Sequence, residues 1–502
     1  MASHHGPQPT DHGPPFETVI GLEVHAQLRT ASKAFSPDAA AFGAPPNTHV
    51  DPVSLGHPGT LPVFNAAVVR ETLLLGLATK SAIARRSVLA RKHYFYPDLP
   101  KGYQISQYET PILSGGHVTI RDEDSGETRA VALTRIHLEE DAGKLVHDLD
   151  PTATLVDHNR CGVPLLEIVS EPDLRTPREA ALYLQEIRRL VRWLGICDGN
   201  MEEGSLRCDA NVSVRRVGSD TLGTKTEVKN LNSIRGVERA IAYEAARQIA
   251  LVERGEAVVQ ETRLWDADRA ETRSMRSKEE AMDYRYVPDP DLPPVVVTDA
   301  VLAEARAAMP ELPDARRMRY VDALGLPTYD AAVLTEERSL AEYFEATLTA
   351  LNASPSADEA KAVSNVVMGD VLRTLNESQG TEQKLAVAVF PIEPARLAAL
   401  VRMRLDDQLS STAATEVFDA MLTDKAAPGV IAQVRDLLQV SDDDALVPVV
   451  EEILAANPKQ VDAFRAGKQQ VVGFFIGQVM RAFPGAPDPK RVRALLLERL
   501  AD

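Results

Sequence analysis

A chain of 502 residues, 44% hydrophobic and 25% charged, has the composition of an ordinary globular protein and enough length to bury a large core in two to four domains. Its formal charge of −18 excludes indiscriminate nucleic-acid binding, and no apolar run is long enough to cross a bilayer. The three cysteines, Cys161, Cys197 and Cys208, fit neither a disulfide framework nor a CxxC pair, so a cytoplasmic protein is expected.

Residues 1–15 are rich in His, Pro and Gly and lack an apolar segment, so they read as a disordered leader and not as a secretory signal. The next stretch, ETVIGLEVHAQL, alternates as a strand does. Ile20, Leu22, Val24, Ala26 and Leu28 share one face, and Glu23, His25 and Gln27 share the other. A helix is predicted from about Pro177 to Gly195 behind a Thr176 cap, and a second opens near Asn232 or Ser233 and stops before Gly255. The segment VPDPDLPP, Val287 to Pro294, has four prolines and no periodicity, which marks a boundary. Beyond it Ala, Leu, Glu and Arg recur at helical spacing and strand signals fade. Ser441, followed by three aspartates, opens one of the later helices. The expected fold class is therefore α+β: a mixed α/β body over 16–294, an all-helical domain over 295–408, and a small helical tail over 409–502. From Lys459 onward eight basic residues face four acidic ones, a net of +4. That tail is the natural place for a localised polyanion contact.

The stretch RIHLEEDAGK places Glu139, Glu140 and Asp141 in a row, and crowded like charges need a positive partner if they are buried. Glu23 and His25 lie two apart on a strand and point the same way, a spacing that can hold a divalent cation. Further acids sit in Gly-punctuated contexts: Glu167 in CGVPLLEIVSEPD, Glu202 and Glu203 in NMEEGSLRCDANVSV, and Glu227 in GTKTEVKNLNS. Arg207 and Asp209 share one strand face, opposite Leu206 and Cys208. Oxygen-rich ligand sets suit Mg²⁺ with substrate phosphates better than zinc. Neither a GxxxxGK[ST] loop nor GxGxxG is present, so any nucleotide site is of another design. These residues alone leave open a metal-dependent nuclease or phosphatase, or a non-catalytic RNA-binding scaffold.

The segments ETVIGLEVHAQL, RKHYFYPDLPKGYQISQYE, RIHLEEDAGK, GVPLLEIVSEPD, MEEGSLRCDANVSVR, EVKNLNSIRGVERAI and DYRYVPDPDLPP resemble the signatures of the B subunit of the tRNA-dependent aspartyl/glutamyl amidotransferase. FRAGKQQVVGFFIGQVMR resembles the C-terminal domain of that family, and the likeness runs in order from about Phe16 to Leu500. The resemblance implies ATP-dependent, Mg²⁺-dependent conversion of misacylated Glu-tRNA(Gln) or Asp-tRNA(Asn) to the amidated form. It also implies a heterotrimer in which the A subunit is a glutamine-hydrolysing amidase and the C subunit is small. Carried over by motif, it implies His25, Glu140 and Glu167 as metal ligands. It implies Glu23, Asp209 and Glu227 as active-site residues; Lys92 and Lys101 are candidates for phosphate or channel contacts, with Lys101 expected among the catalytic residues and Lys92 and Arg207 among the cofactor-binding ones. Strict alternation puts Glu139, not Glu140, on the face of His137, so choosing Glu140 requires a bulge or strand end there. Many members bind zinc through paired cysteines. Here those positions are Ser36, Asp38, Asp51 and Ser54, with His49 and His57 nearby, so no zinc is expected.

Overall fold

A computed structural model describes residues 15–147, 149–275, 284–378 and 385–501, which form two compact units divided between Leu312 and Pro313. The leader expected over 1–15 lies, apart from Pro15, outside the described residues.

The first unit begins with β1 (Phe16–Gln27), α1 (Ala66–Ala78), β2 (Ala82–Ile83), β3 (Arg86–Ser87), β4 (Ala90–His93) and β5 (Tyr103–Ser106). Then come β6 (Leu113–Ser114), β7 (His117–Arg121), β8 (Thr128–Glu140), β9 (Lys144–Val146), β10 (Leu155–Asp157) and β11 (Pro164–Ser170). Helix α2 (Pro177–Trp193) leads to β12 (Leu206–Arg216), β13 (Thr226–Leu231) and α3 (Ile234–Glu253). The unit closes with β14 (Thr262–Asp266), β15 (Glu271–Ser274), β16 (Arg285–Pro288), β17 (Val295–Val296) and α4 (Asp299–Ala308).

Ten of these strands form one sheet in the order β15-β14-β13-β12-β1-β11-β8-β6-β2, with β7 added beside β8. All its pairs are antiparallel except β13 with β14. In β1 the alternation is as expected: Ile20, Leu22, Val24 and Ala26 are fully buried, while Glu23, His25 and Gln27 are half-buried on the other face. The apolar face shares a core with Ala180, Tyr183, Leu184, Ile187 and Val191 of α2 and with Val237, Ala240 and Ile241 of α3. Both helices start where the sequence places them. Thr176 and Glu179 form a reciprocal capping box on α2, and the Ser233 side chain accepts from the Gly236 N–H on α3. With helices closing one face, the polar face of the sheet is left to carry chemistry.

The second unit is helical from Pro313–Asp322 to Pro489–Ala501. Near its end, Asp443–Ala456, Val472–Ala482 and Pro489–Ala501 pack around Leu446, Val450, Phe475, Val479, Val492 and Leu496. The boundary expected at Pro294 falls inside the first unit, because the strands at either end of the proline-rich segment both pair within that unit. β16 pairs with β4, β17 pairs with β3, and Leu302 and Ala305 of α4 join the first unit's core. Pro288 ends β16, and an edge position of this kind tolerates proline because no ladder donor is required there.

One buried group in this unit makes a stability prediction. On α1 the Glu71 carboxyl has a buried oxygen without a hydrogen-bond partner, and burial pushes its pKa up to about 7 despite Arg70 and Arg29 nearby. The folded state then binds a proton more tightly than the unfolded chain, so stability is full below the ordinary carboxyl range and is lost as pH rises through about 7. Glu71→Gln should raise the unfolding free energy at pH 8 by roughly 1 kcal/mol, after allowing for partial solvation, and change it little at pH 5. Equal effects at both pH values would refute the account.

Candidate active site

Three neighbouring strands build the centre of the polar face. His25 on β1 stands opposite Glu167 on β11, and Glu167 stands opposite His137 on β8. Because β8 runs regularly to its end, His137 and Glu139 lie two apart and share that face. The His25 Nε2 lies 3.5 Å from a Glu167 oxygen, and His137 Nε2 lies 3.1 Å from Glu139 and 3.6 Å from Glu167. One ligand atom each from His25, Glu139 and Glu167 falls within 4.8 Å of the others. Glu139 is held in place by the Ser106 hydroxyl at 2.8 Å and the Gln104 amide at 3.1 Å, both from β5.

The electrostatics follow from this crowding. Burial alone would raise the Glu139 carboxyl, but the His137 hydrogen bond and the charges of His137, Lys92 and His25 hold it well below the usual range. Burial also opposes charge on His25, and the hydrogen bond and charge of Glu167 outweigh it, so the imidazole is more basic than usual. The cluster is thus a pair of ionised carboxylates held among His25, His137, Lys92 and Arg135, whose guanidinium lies 3.6 Å from Glu167.

Here the structure corrects one expectation. Glu140, expected as a metal ligand, faces away from the cluster; it pairs with Lys101 and accepts the Ile105 N–H at 2.8 Å. β8 does end at Glu140, but the alternation is intact up to that residue, so Glu139 occupies the place given to Glu140. The next acid, Asp141, binds Arg207 at 2.8 Å and the Gln27 amide at 2.7 Å, with Arg160 at 3.7 Å. The three consecutive acids are therefore separated: one in the cluster, one on a lysine, one on two arginines. Lys101 accordingly points at Glu140 and Arg207 at Asp141, not at the cluster.

A second group lies along the same face. Glu23 stands opposite Asp209, and Asn211 stands opposite Glu227. Asn211 donates to Glu23 at 3.0 Å, and Thr262 donates to Glu227 at 2.8 Å. Lys229 bridges Asp209 and Glu227 at 3.3 Å each. Burial, with Glu167 and Glu227 close by, raises the Glu23 carboxyl. Glu202 and Glu203 are exposed on a turn, where their N–H groups bond Asn200, and take no part. Lys92 makes no ion pair among the described residues; its ammonium lies 4.8 Å from the Tyr284 ring centroid and 6.0 Å from that of Tyr94.

Sequence reasoning passed over His137, Lys229, and the Gln104 and Ser106 that orient Glu139. The spacing Arg135-His137-Glu139 was the available signal for the first of these. In the loop where no zinc is expected, the Ser36 and Ser54 hydroxyls bond each other at 3.1 Å, Asp51 accepts the Ser54 N–H at 2.7 Å, and the buried Lys33 ammonium binds the His49 carbonyl at 2.6 Å. Direct hydrogen bonds hold this loop. No helix among the described residues is long and apolar enough to cross a membrane.

Residues 18–303 match the family model of the GatB/GatE catalytic domain, and residues 342–500 match that of the GatB domain. A protein of Salinibacter ruber, named as the B subunit of aspartyl/glutamyl-tRNA(Asn/Gln) amidotransferase, is 59% identical over 97% of both chains. Proteins of the same name from Chlorobaculum tepidum and Alkalilimnicola ehrlichii are each 54% identical over 97% of this chain and 99% of theirs. With both domains matched in order and near full-length identity above one half, the chain belongs to the GatB family of aspartyl/glutamyl-tRNA amidotransferase B subunits.

Proposed function

We propose that this chain activates and amidates the side-chain carboxylate of Glu or Asp esterified to tRNA, using ATP and ammonia supplied by a glutamine-hydrolysing partner, with a small third chain completing the assembly. The observation that carries the reading is the His25–Glu139–Glu167 cluster on the polar face of the sheet in a chain of this family. Two ionised carboxylates and an imidazole, each offering one ligand atom within 4.8 Å of the others, fit a hard divalent cation such as Mg²⁺. When bound, the cation would neutralise phosphate charge as it develops.

The chemistry follows from the leaving groups. An oxygen of the substrate carboxylate attacks the γ-phosphorus of ATP, the bond to the bridging oxygen breaks, and ADP leaves with that electron pair. Ammonia then attacks the acyl carbon and inorganic phosphate departs, leaving the amide. The protons shed by the nitrogen need acceptors, and Glu23, Asp209 and Glu227 line the adjoining face for that task. Lys92, beside the cluster and without an ion pair, is suited to meeting a phosphate. Gln104 and Ser106 hold Glu139 in position. Lys101 and Arg207 act one step away, by fixing Glu140 and Asp141.

The test is amidation of Glu-tRNA and Asp-tRNA by the chain assembled with its partners, with ATP and either glutamine or ammonium. The chain alone should accept ammonium at alkaline pH but not glutamine. RNA cleavage in place of amidation would favour a nuclease and refute the proposal.

The tail is the proposed tRNA-holding element. Three of its basic residues are already paired, Lys490 with Asp407, Arg491 with Asp443 and Arg499 with Glu451. Lys459, Arg465, Lys468, Arg481 and Arg493 have no ion pair among the described residues. Replacing the first four by Ala should raise the KM for tRNA and flatten its salt dependence by about 0.9 in log–log slope for each phosphate no longer neutralised. KM for ATP should not change. An unaltered salt slope would reduce these charges to a solvated surface.

A further inference from the structure

Beside the cluster, the strands β16, β4 and β5 form a separate three-stranded sheet in that order. Lys92 stands between Tyr286 and Gln104 in register, so these three side chains share a face. That face is turned to the cluster, because Gln104 and Ser106 bind Glu139 from it. The Tyr286 ring is stacked on Tyr108, with centroids 4.3 Å apart and planes 12° from parallel, and the Tyr284 ring packs edge-on to Tyr94 at 5.8 Å around the Lys92 ammonium. Tyr108 is 60% exposed although it is already stacked, so its stacked pair presents an open aromatic surface within one lysine of Glu139.

We propose that the Tyr108–Tyr286 stack is a platform for the 3′-terminal nucleobase of the aminoacylated RNA, with Lys92 meeting its phosphodiester. The inference rests on the function proposed above. There the reacting carboxylate is tethered through an ester to the terminal nucleoside, so the base next to that ester must lie close to the cluster. Base-on-aromatic stacking is the usual means of holding an unpaired nucleotide. The rings offer the face for it, and Lys92, unpaired by any carboxylate among the described residues, offers the complementary charge. An open platform suits the end of a large substrate, whereas a free nucleotide is ordinarily enclosed in a concave pocket that covers most of its surface.

The experiment uses the assembled enzyme and two uncharged tRNAs, one intact and one whose 3′-terminal nucleotide lacks its base, with binding measured at fixed salt. The wild-type complex should prefer the intact tRNA about tenfold. Tyr108→Ala should bind both at the weaker level, and Tyr108→Trp should keep the preference. A Tyr108→Ala complex that still prefers the intact tRNA overturns the platform. So does a variant that only raises the KM for ATP, which assigns the rings to the free nucleotide, or one that only loosens assembly of the complex, which assigns them to a protein interface. Failure of the wild-type complex to amidate any tRNA would instead strike at the proposed function and is read separately.

Discussion

Glu139→Gln should lower ammonia-dependent amidation by the assembled enzyme roughly 10³-fold, the scale of loss when one preorganised charge is removed from a buried site. Supplying ammonium directly removes the proposed glutamine-hydrolysing partner from the comparison, so the loss reports on this chain alone. The substitution keeps volume, and the introduced amide oxygen would still accept the Ser106 hydroxyl, but its NH2 would face the Gln104 NH2, so activity is compared below a somewhat lowered melting temperature. The deficit should shift with Mg²⁺ concentration, because the charge removed belongs to the group of three ligand atoms gathered within 4.8 Å. His25→Ala should show the same pattern. Glu140→Gln is the informative control, since its carboxylate faces Lys101 and the Ile105 N–H and not the cluster. If Glu140→Gln abolished turnover at full stability while Glu139→Gln left it intact, the assignment of the two glutamates would be reversed.

That pair of neighbours also shows what could be read from the chain. The period-two pattern of β1 marked its buried and polar faces residue by residue, and the Thr176 and Ser233 caps located α2 and α3, because each is a local property of backbone geometry. The same local rule, applied to His137 and Glu139, picks out the glutamate that joins the cluster. Motif likeness pointed one residue further, and the regular end of β8 decides which side chain reaches that face. The partners of the three acids were not legible in the same way. Glu140 meets Lys101 from 39 residues away and Asp141 meets Arg207 from 66, so each choice is made by the packing of distant strands. The prolines of Val287 to Pro294 misled for a related reason. Their lack of periodicity looked like a linker, but β16 and β17 are short edge elements whose pairing with β4 and β3 requires no pattern of their own.

Lys101→Met should cost roughly 3–5 kcal/mol of stability, because it strands the Glu140 carboxylate where that residue is 1% exposed. The Lys101 side chain is itself 9% exposed, so solvent offers little screening for the pair. Desolvating two charges offsets much of their attraction, and replacing both is therefore far less damaging than removing one. The double variant Lys101→Met with Glu140→Gln should recover most of the loss, leaving a coupling energy well above the ~0.5 kcal/mol of independent sites. The amide oxygen introduced by Glu140→Gln can still accept the Ile105 N–H, so the contact between β5 and the end of β8 survives in the double variant. That contact matters to catalysis because the same strand carries Gln104 and Ser106, which orient Glu139. Activity should therefore track stability: low in Lys101→Met, and largely regained in the double variant when assayed below its melting temperature. A double variant that is as stable as the wild type but inactive would show that the Lys101 ammonium takes part in the reaction itself, and not only in holding Glu140.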